Sequence, residues 1–205
     1  MDKNEVKAFS IITLGDSGVG KTSIINRYIN NKFDENNSST VGINYSNKEM
    51  EFNNKDKIIL RLMDTAGQEK YRAITKSYYR NANAVLFVFS LNDKDSFDKI
   101  NEWMTYFKNN NSKGEHIPKY LVGTKNDLEK CVEDNSINIF AKENNLSFMS
   151  TSAKNNNNID ELFEEVGKNL YIDFIKKGNK GQININIKVL KKKRRNKCCF
   201  AEPDM

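Results

Sequence analysis

Gly15-Asp16-Ser17-Gly18-Val19-Gly20-Lys21-Thr22 follows an apolar, β-branched run from Val6 to Leu14 and opens a stretch of helical character from Lys21 to about Asn30. A strand, a glycine-rich turn and a helix in that order are the setting of a phosphate-binding loop, and the residues fit G-x-x-x-x-G-K-[ST]. Glycines let the backbone curl so that successive N–H groups point inward at phosphate oxygens, and the helix adds the positive end of its dipole. Lys21 is placed to neutralise the β- and γ-phosphates. The hydroxyl of Thr22 is a hard ligand suited to Mg²⁺.

The same letters permit rival readings. Gly15-Asp16-Ser17-Gly18 also resembles the segment around the nucleophile of trypsin-like serine proteases. A serine nucleophile needs a base, and the only histidine, His116, stands two residues before Pro118 with no sign of a triad. A disulfide-stapled barrel would also want more than three cysteines. A chance match to a short motif, without nucleotide, is the other rival.

At 205 residues the chain is long enough for one α/β domain with a full core and short for two. No apolar run approaches the ~18 residues of a membrane span, and the first residues, MDKNEVKAFS, lack the apolar stretch of a signal peptide. Both features point to a cytosolic protein. Cys131 stands alone and Cys198-Cys199 are adjacent, so no spaced framework for disulfides or zinc exists, as fits a reducing compartment. The net charge of +6 is unevenly spread: Lys176 to Met205 holds ten Lys or Arg and two Asp or Glu, leaving 23 basic and 25 acidic residues before it. The body is therefore near neutral. The excess is an electrostatic arm, not a nucleic-acid-binding face.

Phe33 to Thr40 is polar and aperiodic and reads as an exposed loop. Ile43 to Phe52 and Ile58 to Met63 read as strands around the turn Asn53-Asn54-Lys55-Asp56, an antiparallel hairpin at the sheet edge. Gln68 to Tyr79 is less regular and is expected to be a mobile helix. Ala84 to Ser90 is a continuous apolar run, as in a parallel strand covered on both faces. Phe97, Ile100, Trp103, Met104 and Phe107 recur at three- and four-residue spacing, so this helix turns an aromatic stripe to the core. A strand from Lys119 to Gly123, a helix near Asn135 to Asn144, a strand from Ser147 to Ser150 and a helix from Ile159 to Ile175 complete the alternation. The asparagine runs 109–111 and 155–158 read as solvated loops. The predicted fold is α/β: a six-stranded, mostly parallel sheet with one antiparallel edge strand, flanked by about five helices. Ligands of such sheets bind beyond the carboxyl ends of the strands.

Three more motifs fall at such ends. Asp64-Thr65-Ala66-Gly67-Gln68-Glu69 brings a carboxylate to the metal and a glycine near the γ-phosphate. Thr124-Lys125-Asn126-Asp127 supplies an aspartate able to accept from both guanine N1–H and N2–H₂, donors that adenine does not present together, while the Lys125 stem can cover the base. Ser152-Ala153-Lys154 ends the last strand, where backbone can donate to guanine O6.

On these residues the chain resembles the Ras superfamily of small GTPases, over roughly residues 6 to 176. Within it the chain is most similar to the Rab family, on Gly15 to Thr22, Thr40-Val41-Gly42, Lys70-Tyr71-Arg72, Ser77-Tyr78-Tyr79-Arg80 and the double cysteine. The resemblance implies a P-loop NTPase G domain over 1–176 and a flexible basic tail over 177–205. It implies that Asp16, Ser17, Gly18, Val19, Gly20, Lys21, Thr22 and Ser23 contact nucleotide, with Phe33 packed on the guanosine and Thr40 and Gly67 at the γ-phosphate. Thr124, Lys125, Asp127, Ser152, Ala153 and Lys154 then surround the base, and Thr22, Thr40 and Asp64 hold Mg²⁺. Gln68 orients the attacking water while Lys21 stabilises phosphate charge. Thr124 stands where most Rab proteins carry asparagine. Met63 and Tyr45 replace the usual tryptophan and phenylalanine of an effector-facing aromatic triad whose third member is Tyr78.

The implied protein is a slow GTPase, a GTP/GDP switch that directs vesicle traffic as a monomer. Its partners are an exchange factor, an activating protein, effectors at the switch regions and an escort or GDI-type protein at the tail. A Rho- or Ras-like signalling GTPase, a GTP-binding scaffold without hydrolysis and a P-loop kinase or ATPase are the alternatives. Lys191 to Arg195 and Lys197 precede Cys198-Cys199, the pattern of double prenylation that anchors a cytosolic protein reversibly to the cytosolic face of an intracellular membrane. Six residues follow the cysteines, and no cysteine is fourth from the end. Palmitoylation, or an unmodified basic tail acting as a nuclear signal, are the other readings.

Overall fold

A computed structural model describes residues 6–35, 40, 42–52, 56–65, 78–111 and 117–178. The elements are β1 (Lys7–Leu14), α1 (Lys21–Asn30), β2 (Ile43–Glu51), β3 (Lys57–Thr65), β4 (Ala84–Ser90), α2 (Lys94–Asp98), α3 (Ile100–Asn110), β5 (Lys119–Thr124), α4 (Asp134–Glu143), β6 (Ser147–Ser150) and α5 (Ile159–Gly178). The six strands form one sheet in the order β2-β3-β1-β4-β5-β6. Every neighbouring pair is parallel except β2 and β3, which run antiparallel with Ile43 opposite Thr65 and Glu51 opposite Lys57. The expected α/β architecture is therefore the observed one.

Side chains on a strand alternate between the two faces of the sheet. In β4 this sends Ala84, Leu86 and Val88 into one core and Val85, Phe87 and Phe89 into the other. The first core is closed by α1 and α5 through Ile24, Ile25, Tyr28, Phe163 and Val166. The second is closed by α3 and α4 through Trp103, Phe107 and Ile137. Helices on both faces explain why β4 carries no polar residue before Ser90.

Four sequence expectations need adjustment. The helix expected through Phe97 and Phe107 is two helices meeting at Lys99, the first capped by Asp93, whose carboxylate accepts from the Ser96 N–H at 3.3 Å. The last helix continues to Gly178, beyond Ile175. Asn109 and Asn110 end α3 instead of lying in a solvated loop, and Asn111 is buried, its side-chain amide donating to the Tyr79 carbonyl. Asn158 likewise bonds the Ser150 carbonyl at 2.8 Å, and Asn156 and Asn158 hold left-handed backbone, which asparagine tolerates better than most residues. The helix expected over Gln68 to Tyr79 lies mostly outside the described residues, though 78–81 are helical. Residues 53–55 of the hairpin turn lie outside them too, but Phe52 N–H donates to the Asp56 carbonyl at 2.9 Å and closes the hairpin.

Phe163 is fully buried and stacks on Tyr28 with ring centroids 4.2 Å apart, whereas Phe174, farther along the same helix, is 42% exposed. Phe163→Ala should lower unfolding stability by about 3–5 kcal/mol, and Phe174→Ala by about 1 kcal/mol or less. Denaturant unfolding at one fixed nucleotide concentration checks the contrast.

Candidate functional site

Because β1, β3, β4, β5 and β6 are parallel, their carboxyl ends at Leu14, Thr65, Ser90, Thr124 and Ser150 lie on the same edge of the sheet. A cleft of about 420 Å³ opens there, the size of a small-ligand site. Ser17, Gly18, Gly20, Lys21, Thr22 and Ser23 line one wall; Phe33 and Thr40 line the rim; Lys125, Asp127, Ala153 and Lys154 line the far end. Val19, Asp64, Thr124 and Ser152 are buried behind these residues, and the Asp16 side chain turns out of the cleft toward α3. Gly67, Gln68, Cys198 and Cys199 lie outside the described residues.

The phosphate loop is fixed by close packing. A side chain on Gly15 would place its Cβ 2.0 Å from the Val88 carbonyl oxygen of β4, so only glycine fits. Gly20, at φ 100°, turns the chain into α1 in a conformation that suits glycine. Lys21 in the first turn is 5% exposed, and its Nζ donates to the carbonyls of Gly15 at 2.9 Å and Asp16 at 2.7 Å. Burial lowers its pKa to about 8, against the pull of the Asp64 and Asp16 carboxylates, which raises it.

Beside Lys21, three hard oxygens converge from separate segments. Thr22 Oγ1 donates to Asp64 Oδ2 at 2.8 Å and lies 2.7 Å from Thr40 Oγ1, which is itself 3.3 Å from the same carboxylate oxygen. Burial raises the Asp64 pKa, while the Thr22 hydroxyl and the Lys21 charge hold it down. Its other oxygen, Oδ1, is buried without a hydrogen-bond partner. A buried carboxylate whose one oxygen already draws two hydroxyls together, while the other has no partner, suits a small hard cation.

At the far end, Ser152 Oγ donates to Asp127 Oδ1 at 2.5 Å and accepts from Asn155 N–H at 3.0 Å. Asp127, which lines the cleft, is thus held as a preset carboxylate. Thr124 Oγ1 reaches the Phe89 carbonyl at 3.0 Å and the Val19 carbonyl, tying the base end to the phosphate loop. The mouth is crossed by an ion pair between Lys154 and Glu35 at 2.7 Å.

Sequence reasoning passed over several residues. Asp34, Glu35, Thr65 and Leu128 also line the cleft. Arg27 on α1 donates from Nε to the Ala153 carbonyl at 2.6 Å and from Nη2 to the Lys154 carbonyl at 3.2 Å, fixing the loop after β6. Lys99 and Trp103 hold Asp16. Arg27, Lys99 and Trp103 carry no local signal, because these partners are far away in sequence.

The Ras family model matches residues 10–172. The chain is 35% identical over 199 residues to Ras-related protein Rab-13 of Bos taurus, covering 94% of this chain and 96% of that protein. It is 37% identical over 188 residues to Ras-related protein Rab-11B of Dictyostelium discoideum, covering 87% and 84%. With the GTP-binding protein ypt3 of Schizosaccharomyces pombe it shares 39% over 160 residues, covering 77% and 73%. A match of that extent, on a sheet where Gly15–Thr22 and Thr124–Asp127 follow strands at one edge, shows that the chain belongs to the Ras family as a Rab-like small GTPase, an enzyme that binds guanine nucleotide and hydrolyses GTP.

Proposed function

We propose that this GTPase is a timer whose two nucleotide states are read by partner proteins at an intracellular membrane. The observation that carries this reading is the meeting of Thr22, Thr40 and Asp64 beside the buried Lys21, with Asp64 Oδ1 left unpaired. These three residues would hold Mg²⁺, which supplies charge neutralisation at phosphate oxygens when bound. Loop N–H groups and Lys21 bind and orient the phosphates, and Asp127, backed by Ser152, accepts from the guanine edge. Phe33 covers the guanosine at the rim. Gln68 orients the attacking water and Gly67 meets the γ-phosphate, both assigned from sequence alone.

No arginine is among the described residues lining the cleft. Turnover is accordingly slow, and an activating protein accelerates it about 10³- to 10⁵-fold by supplying one. Thr40 sits between α1 and β2, so a ligand that engages its hydroxyl orders the segment in front of the edge strand. Hydrolysis releases that contact, which is how the γ-phosphate is reported to effectors. Tyr45 and Tyr78 meet there with centroids 5.7 Å apart, and Met63 is buried, so the effector face is a tyrosine pair. An exchange factor resets the nucleotide. Vesicle traffic is the process this cycle serves, with the G domain over 1–176 acting as a monomer and the tail from 177 as the tether.

No described helix is long and apolar enough to cross a membrane. Membrane residence then rests on the tail: each basic residue near an anionic leaflet contributes on the order of 1 kcal/mol, and two lipid chains on Cys198 and Cys199 make attachment stable. An escort or GDI-type protein carries the lipidated chain through the cytosol.

GTP and GDP should displace labelled GDP where ATP does not, and Asp127→Asn should weaken GDP by about a hundredfold while improving xanthine nucleotides. Equal displacement by ATP would sink the guanine assignment. Thr22→Asn should favour the GDP or empty state, and Gln68→Leu should retain GTP with single-turnover hydrolysis slowed by about tenfold or more. Pull-downs with the two variants should then recover different partners, and one shared set would contradict the switch. Intact mass of the chain from its native cells should show two added C20 isoprenoids. Free thiols with fully soluble fractionation would exclude the anchor.

A further inference from the structure

Asp16 is part of the phosphate loop, yet its side chain faces the other way. Its Oδ1 accepts from the Trp103 indole N–H at 2.8 Å and its Oδ2 from the Lys99 ammonium at 2.8 Å. The donors are four residues apart, so the first turn of α3 presents both on one face. With each oxygen taken by a different donor, the carboxylate cannot rotate without losing one bond. Its own backbone carbonyl, meanwhile, accepts from Lys21 Nζ at 2.7 Å. A chain of contacts thus runs from the buried indole, 1% exposed, through Asp16 to the lysine at the bottom of the cleft.

The loop needs such a hold. Three of its residues are glycines, at φ 153°, 76° and 100°, and glycine gives the backbone more conformations to lose than any other residue. Binding to a loop already held in shape avoids that loss. Gly15 is held by its approach to Val88, and Gly20 by the start of α1. Asp16 is the first residue between them, and its ties lie 83 and 87 residues away.

We propose that Asp16 is a positioning residue for nucleotide binding, with Trp103 and Lys99 holding its carboxylate so that the carbonyls anchoring Lys21 stay in the shape that receives phosphate. This rests on the reading of Lys21 as a phosphate ligand. The Trp103 bond, part-buried and made by a buried indole, carries most of the effect; Lys99 is half exposed and its pair is screened by salt. The surface around Lys99 is, by the same linkage, a place from which nucleotide release is adjusted.

Release of fluorescent GDP from the full chain tests this. Asp16→Ala and Trp103→Phe should each speed release about tenfold, and the double variant should be no faster than Asp16→Ala alone, because Asp16→Ala already removes the indole bond together with the Lys99 pair. Lys99→Ala, an exposed change that leaves folding intact, should speed release about two- to threefold at low salt, with the difference fading at high salt. Asp16→Asn, which keeps an acceptor for the indole, should recover much of the slow release. Phe107→Leu loosens the same helix without touching Asp16 and should leave release within about twofold of the unaltered chain. The inference fails if Asp16→Ala and Trp103→Phe stay within about twofold, if their effects add, or if Phe107→Leu matches Trp103→Phe. An unaltered chain that retains no GDP would overturn the nucleotide assignment as well, whereas tight retention with unmoved variants overturns this inference alone.

Discussion

A lysine ammonium almost wholly withdrawn from water is the constraint on which the site depends. Burying a charge is costly unless partners replace the lost hydration, and Lys21 is 5% exposed. Two loop carbonyls and the field of Asp64 and Asp16 hold it. Carbonyls alone are weak compensation for a full charge, and the carboxylate of Asp64 shares itself between two hydroxyls. A ligand rich in anionic oxygens, with a hard cation, completes both at once. A ligand of that kind needs residues from several strand ends at once, and a parallel sheet brings those ends to one edge.

The same sheet accounts for what could be read in the residues alone. Phosphate-loop chemistry is local: strand, glycines, lysine and threonine are contiguous, so their order carries the geometry. The base-binding motifs are short and fall where apolar runs end. Strand β4 was legible because a segment buried on both faces has no room for polar residues. What stayed hidden was long-range. Arg27 holds carbonyls 126 and 127 residues away, and nothing in the helix around it distinguishes it from a solvated arginine. Trp103 sat correctly on the core stripe, but its indole N–H, which must find a partner when buried, finds it in the phosphate loop. Asn111 was misread for the opposite reason: asparagine is common in exposed turns, and only the position of Tyr79 makes this one a buried donor.

Thr124 joins these two kinds of contact. Its hydroxyl reaches the carbonyl of Phe89 on the neighbouring strand and that of Val19 in the phosphate loop, and a side chain on Gly20 would touch it at 3.5 Å. The register of β4 and β5, with Ser90 opposite Thr124, sets the residue where a short β-branched side chain spans the gap. The base end and the phosphate end of the cleft therefore share one anchor. Three residues further on, Asp127 is locked by Ser152, whose neighbours Ala153 and Lys154 are held by Arg27 of α1, the helix that begins with Lys21. The circuit is closed: loop, Thr124–Asp127, last loop and helix constrain one another through polar bonds, all buried or half-buried except the exposed one from Arg27 to the Lys154 carbonyl. In such a ring each bond limits the freedom left to the next, so the loss of any one anchor is felt at both ends of the cleft.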